Sequence, residues 1–153
     1  MSSRHEARLC AVQFLFQRDF NAGTLGEALV LFWEGRKCSA KVRTFTEELV
    51  QGVESLKEDL DARIRRYAEH WDLQRMAATD RNIMRVALYE MLHRPEIPPV
   101  VSINEAVELA KEFSGYESGR FVNGILDRAK KDLTRPARCA APDERFLTGE
   151  KEP

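Results

Sequence analysis

The sequence predicts an all-α single domain of about seven helices, and three observations carry that prediction. Apolar residues recur at i, i+3 and i+4 along most of the chain up to about residue 135. No segment alternates apolar and polar residues long enough to form a strand, and 99 to 102 is too short. Gly, Pro, Ser and Thr fall where the periodicity breaks, as caps and stops should.

The first helix is expected from Arg4 to about Phe20, with Ala7, Cys10, Ala11, Phe14 and Leu15 on its inner face, and Asn21-Ala22-Gly23 ends it. Leu25 to Glu34 forms the second, carrying Leu25, Ala28, Leu29 and Phe32 and closed by Gly35. Ser39 caps a third, Ala40 to Val53, with Val42, Phe45, Leu49 and Val50 inward. Ser55 with Glu58 reads as a capping box opening a fourth, to about His70, with Leu56, Leu60, Ile64 and Tyr67 on one side. Trp71 and Leu73 are expected to pack the connection.

The region Ala78-Thr79-Asp80 opens a helix to about His93 that is apolar nearly all round, so it is the expected central helix. Pro95 stops it, and Pro98-Pro99 are expected to hold an extended link. Ser102 with Glu105 makes a second capping box ahead of Ile103, Ala106, Val107, Ala110 and Phe113. Gly115 ends that helix. Ser118 opens the last one, whose stripe is Phe121, Val122, Ile125, Leu126, Ala129 and Leu133. Beyond Arg135-Pro136 the periodicity vanishes, so a body of 1–135 and a disordered tail of 136–153 are expected.

A chain of 153 residues suits one domain able to bury a core, and 43% hydrophobic with 32% charged residues is an ordinary globular balance. No apolar run approaches the ~18 residues of a membrane span. MSSRHEARLC lacks the apolar core of a signal peptide, so a cytoplasmic protein is expected. Cys10, Cys38 and Cys139 are too scattered for a disulfide framework or a zinc site, and Cys10 falls on an apolar face. Phosphate-loop, dinucleotide, zinc-protease and nucleophile-elbow motifs are absent, and His5, His70 and His93 lack ligand spacing. No catalytic residue, metal or cofactor is therefore expected.

Net charge is −1, but it is uneven: arginines stud the first helix, acids crowd the middle, and Arg120, Arg128, Lys130 and Lys131 mark the end. Three constellations point to binding. Arg4 and Arg8, one turn apart with His5 between and Gln13 further on, can bracket phosphates or simply line a solvated face. Phe113, Tyr116, Glu117, Ser118, Arg120, Phe121 and Asn123 gather aromatics and polar groups at a helix start, the elements that read single-stranded RNA. Phe113 and Phe121 also fit a plain core. Asp80, Arg81, Arg85, Tyr89 and Glu90 place charge along one edge of the central helix, as an ion-pair ridge or a docking edge.

INEAVELAKEF followed by a Gly-containing corner and RFVNGILD closely resembles the signature of the transcription antitermination factor NusB family. DRNIMRVALYEMLHRPEIPPVVSINEA and ARLCAVQFLFQ resemble it in the same order, across most of residues 4 to 133. The resemblance implies two small all-α bundles. It also implies binding of boxA-type single-stranded RNA jointly with a small-subunit ribosomal protein, NusE, so that RNA polymerase reads through terminators, chiefly on ribosomal RNA operons. It assigns Arg4, Arg8, Gln13, Tyr116, Ser118, Arg120, Phe121 and Asn123 to RNA, and Phe16, Asp80, Arg85 and Glu117 to the partner. The first helix has fewer arginines than that pattern, and Phe16 stands where relatives often carry Tyr. The alternatives are a free-standing RNA-positioning domain, related to the appendage of ribosomal RNA cytosine methyltransferases, and a purely protein-binding scaffold. The free chain is expected as a monomer or homodimer.

Overall fold

A computed structural model describes residues 2–69 and 76–133. Among them lie six helices and no strand: α1 (Ser3–Arg18), α2 (Leu25–Trp33), α3 (Ala40–Tyr67), α4 (Ala78–His93), α5 (Pro99–Ser114) and α6 (Tyr116–Lys131). The first three pack as one group and the last three as another. α4 touches α1 and α3 on one side and α5 and α6 on the other. The expected tail and the Trp71–Leu73 connection fall outside the described residues.

Side-chain caps start the first three helices. Ser2, Thr24 and Ser39 accept from the backbone N–H of His5, Glu27 and Val42 at 3.1, 3.2 and 3.2 Å. The two expected capping boxes do not form. Ser55 lies inside the unbroken α3, where its hydroxyl donates to the Gln51 carbonyl at 2.8 Å, so the third and fourth expected helices are one. Ser102 is the fourth residue of α5, because Pro99, with φ already helical and no N–H to satisfy, begins that helix instead of an extended link. α6 begins at Tyr116 rather than Ser118, since Gly115 at φ +107° turns the chain in one residue.

α4 is the central helix: Ile83, Met84, Val86, Ala87, Leu88 and Met91 are all buried, each contributing roughly 1.5–3 kcal/mol except the smaller Ala. Gly52 admits the Tyr89 ring so closely that a Cβ there would stand 2.2 Å from it. Gly124 has no such reason, because nothing approaches within 4 Å of a Cβ built there. Cys10 is buried, as its apolar position implied, and burial pushes its thiol pKa up.

α4 also carries charge inward. Glu90, 1% exposed, accepts from Arg8 Nε at 2.9 Å, Arg8 Nη2 at 2.7 Å and the Ser102 hydroxyl at 3.0 Å. Three helices are tied by one carboxylate. Arg85 grips Asp61 of α3 through Nε at 2.7 Å and Nη2 at 2.8 Å, and reaches Asp19 at the end of α1 at 3.4 Å. Burial would raise the Asp19 pKa, but the Asn82 hydrogen bond and the charges of Arg85 and Arg81 outweigh it and lower it.

Glu90→Ala leaves Arg8 charged and buried without its bidentate partner, with Glu105 3.9 Å away, so urea unfolding should show a loss of about 3–5 kcal/mol; a loss under ~1 kcal/mol would contradict the clamp. The Asp19 contribution should be full above its unfolded value of about 3.9 and lost as pH falls through the lower folded value. The stability gap between wild type and Asp19→Asn, measured by thermal melts, should therefore close below about pH 4.

Candidate nucleic-acid and protein interfaces

α5 and α6 meet at a single residue, and that corner decides which groups reach solvent. The Gly115 N–H is held by the carbonyls of Ala110 and Lys111 at 3.2 and 3.0 Å. Once α6 buries Val122, Ile125, Leu126 and Ala129, helical spacing puts Tyr116, Arg120 and Asn123 on the opposite, exposed face. Tyr116 is 68% exposed, and Lys111 Nζ lies 6.0 Å from its ring centroid. Glu117 is exposed beside it. Gly119 lets Lys111 lie across the helix start, since a Cβ there would meet Lys111 Cγ at 2.9 Å. Phe113 sits exposed at the end of α5 rather than in the core stripe, and Phe121 is half-buried against the core.

Ser118 turns inward and donates to Asp80 Oδ2 at 3.2 Å. Asp80 is buried at the start of α4, does not cap it, and its Oδ1 has no hydrogen-bond partner. Burial raises its pKa against the opposing pull of the Ser118 hydrogen bond. The same first turns of α4 touch the end of α1, where Asn82 and Arg81 donate to Asp19 at 2.8 and 3.3 Å. Just before and after Asp19, Phe16 and Phe20 expose 40% and 69% of their surface and meet edge to face at 5.2 Å. The start of α4 thus lies between an aromatic patch and the corner.

At the other end of α1, Arg4 is exposed with its guanidinium 4.7 Å from the Phe45 ring centroid. Next to it, His5 Nδ1 stands 2.6 Å from Glu105 and Nε2 3.4 Å from Glu112, fixing the first turn of α1 against α5. Glu112 lies in the last turn of α5, so this contact ties the start of α1 to the helix end that leads into the corner.

Four expected contact residues are placed elsewhere. Arg8 is 4% exposed with its donors spent on Glu90, so it supports α1 instead of offering a phosphate contact. Arg85 is likewise buried in its grip on Asp61, and Asp80 under Ser118; neither presents a docking edge, and the ion-pair ridge is the observed alternative. Gln13 is half-buried and accepts from Arg36 beyond α2 at 3.2 Å. Helical spacing cannot reveal these fates, because they depend on which partner waits on a distant segment: an acid for Arg8 and Arg85, Ser118 for Asp80 and Arg36 for Gln13. Phe20 is a site residue that the sequence reading did not find, because an exposed ring at a helix end is a weak sequence signal. Among the described residues no cluster of three metal-ligating side chains occurs, and no helix is long and apolar enough to cross a membrane.

Comparison with known proteins places this arrangement. The NusB family model matches residues 5–131. Transcription antitermination protein NusB of Myxococcus xanthus (strain DK1622) is 42% identical over 140 residues, covering 89% of this chain and 100% of that protein. The solved structure of T. maritima NusB superposes with a TM-score of 0.75 at 34% identity, over 94% of this chain and 96% of that one. The fold is shared by antitermination factor NusB in a crystal structure with NusE and double-stranded RNA (TM-score 0.78, 23% identity, 87% of this chain and 99% of that one). With nearly the whole helical body matched both in sequence and in structure, the chain belongs to the NusB family.

Proposed function

We propose that the protein is an antitermination adaptor that binds rather than catalyses, working beside RNA polymerase in the cytoplasm. It holds a boxA-type single-stranded RNA together with the small-subunit ribosomal protein NusE and so favours read-through, chiefly on ribosomal RNA operons. The observation that carries this reading is the corner, where a solvent-facing ring, an arginine and an asparagine on the first turns of α6 stand beside a lysine from the last turn of α5. Tyr116 offers a stacking surface, Lys111 and Arg120 meet phosphates, and Asn123 supplies a donor and an acceptor for base edges. The names of its relatives and the company of one structural neighbour point the same way.

For the protein partner the supporting feature is the exposed Phe16–Phe20 pair, since exposed aromatic anchors are what interfaces use most strongly. Glu117 stands at the rim. The buried Asp80 and Arg85 act through the placement of these groups. A partner seated between the aromatic patch and the corner would share the RNA, which raises RNA affinity without a new site on this chain.

Fluorescence anisotropy with a boxA-type oligonucleotide, with and without the ribosomal protein, tests the reading. Tyr116→Ala should weaken RNA binding by about 1–3 kcal/mol, and Arg120→Ala should lower the salt slope by about 1, both with unchanged helicity. Phe16→Ala should cost more than ~1 kcal/mol in partner affinity and leave binding of RNA alone unaffected. Absence of any RNA binding at low salt with the ribosomal protein present would leave a protein-binding scaffold in its place.

A further inference from the structure

We propose that the outward face of α2, with the cleft beside it, docks a basic amphipathic helix of another protein. Glu27, Val30, Leu31 and the C-cap Glu34 fall at i, i+3, i+4 and i+7, so they share one side of the helix. The other side is turned inward: Leu29, Phe32 and Trp33 are buried, and the Phe32 ring meets Phe14 of α1 edge to face at 5.4 Å. Val30 and Leu31 leave 62% and 67% of their surface exposed, while no other large aliphatic side chain among the described residues passes 39%. Alongside them a cleft of about 420 Å³ opens between α1 and α2. Phe14, Ala28, Leu31 and Phe32 are among its walls, so an apolar side chain inserted there would extend the strip that Val30 and Leu31 begin.

The charge on this face has one sign. Glu27 and Glu34 are exposed, and neither is held in an ion pair among the described residues. The arginines nearby are already engaged. Arg18, in the wall of the cleft, donates to Glu54 at 3.1 Å and to the Gly23 carbonyl at 2.7 Å. Arg36 donates to Gln13 at 3.2 Å with its guanidinium 3.9 Å from the Phe32 ring centroid. Lys37 follows in the loop, past the turn at Gly35. Gln17 and Arg18 belong to the last turn of α1, whose terminal carbonyls add partial negative charge to the same cleft.

This pattern selects the occupant. Glu27 and Glu34 are about 10 Å apart along the helix axis, with two bare aliphatics between them. A helix with Lys or Arg at the same spacing and two leucine-like residues between them matches that face turn for turn. An RNA strand, or the same face of a second copy, would instead set negative charge against both glutamates. The face lies on α2, away from the elements that form the corner, so its occupancy does not depend on the RNA-binding reading.

The test titrates the full chain with two synthetic helical peptides, one of the pattern Lys-x-x-Leu-Leu-x-x-Lys and one with glutamates in place of the lysines. Binding is read by anisotropy and by amide chemical shifts. The lysine peptide should shift the amides of Val30, Leu31 and the cleft residues, and should bind at least about fivefold more tightly than the glutamate peptide. Glu27→Lys combined with Glu34→Lys should reverse that preference. Val30→Ala combined with Leu31→Ala should weaken the lysine peptide about tenfold with an unchanged melting temperature, since both side chains are exposed and alanine suits a helix. Equal affinity for the two peptides, or shifts centred away from α2, would overturn the docking surface. So would self-association of the free chain that the alanine pair abolishes, because the occupant would then be a second copy. Gln17 and Asn21 line the cleft directly after Phe16 and Phe20 in the chain, so the ribosomal protein is added last. Undiminished peptide binding supports a separate site, and displacement of the peptide overturns it.

Discussion

A carboxylate with almost no access to water, on the most buried helix, sets the terms for the rest of the molecule. Glu90 needs a cation and a hydroxyl within hydrogen-bond reach, because an ionised group left alone in the interior costs several kcal/mol. Arg8 and Ser102 meet that need from two other helices. The register of α1 and α5 against α4 is thereby fixed at one point. Arg85 with Asp61 and Asp19 fixes α3 and the end of α1 against the same helix about one and a half turns earlier. Apolar packing alone would tolerate sliding between neighbouring helices; two buried charged contacts on one helix do not.

This constraint divides the arginines into two kinds. Those facing α4 are consumed within the body and cannot serve a ligand without being replaced in their pairs. Of those left outside, Arg4 and Arg120 stand near the starts of α1 and α6, where Lys111 from the end of α5 joins Arg120 at the corner. Binding groups are therefore few, and each is placed by an element that is itself pinned: α1 through Arg8 and His5, α6 through Gly115 and Ser118. A chain with a net charge of −1 can in this way present local positive potential without being basic overall.

The helical class, the central place of α4 and most inward faces were legible, because a period of 3.6 residues is written directly in the apolar positions. Boundaries were less so. Ser55 and Ser102 satisfy the local pattern of a cap, yet their hydroxyls find carbonyl or carboxylate partners within continuous helices, a choice made by α3 packing along α4 and by Glu90. In the site, the exposure of Tyr116, Arg120 and Asn123 followed from their lying off the apolar stripe. Arg8 and Arg85 looked equally available, since the acids that bury them are 82 and 24 residues away in the chain.

The central claim is that ligands meet groups displayed by a body whose buried ion pairs stay closed. Native-state hydrogen exchange of the full chain, free and with RNA and the ribosomal protein, tests it most directly. The account predicts added protection in the first turns of α6 and α1, with amides around Glu90 and Arg85 exchanging only through global unfolding in either state. Faster exchange around Glu90 in the complex, or new protection confined to α2, would contradict it.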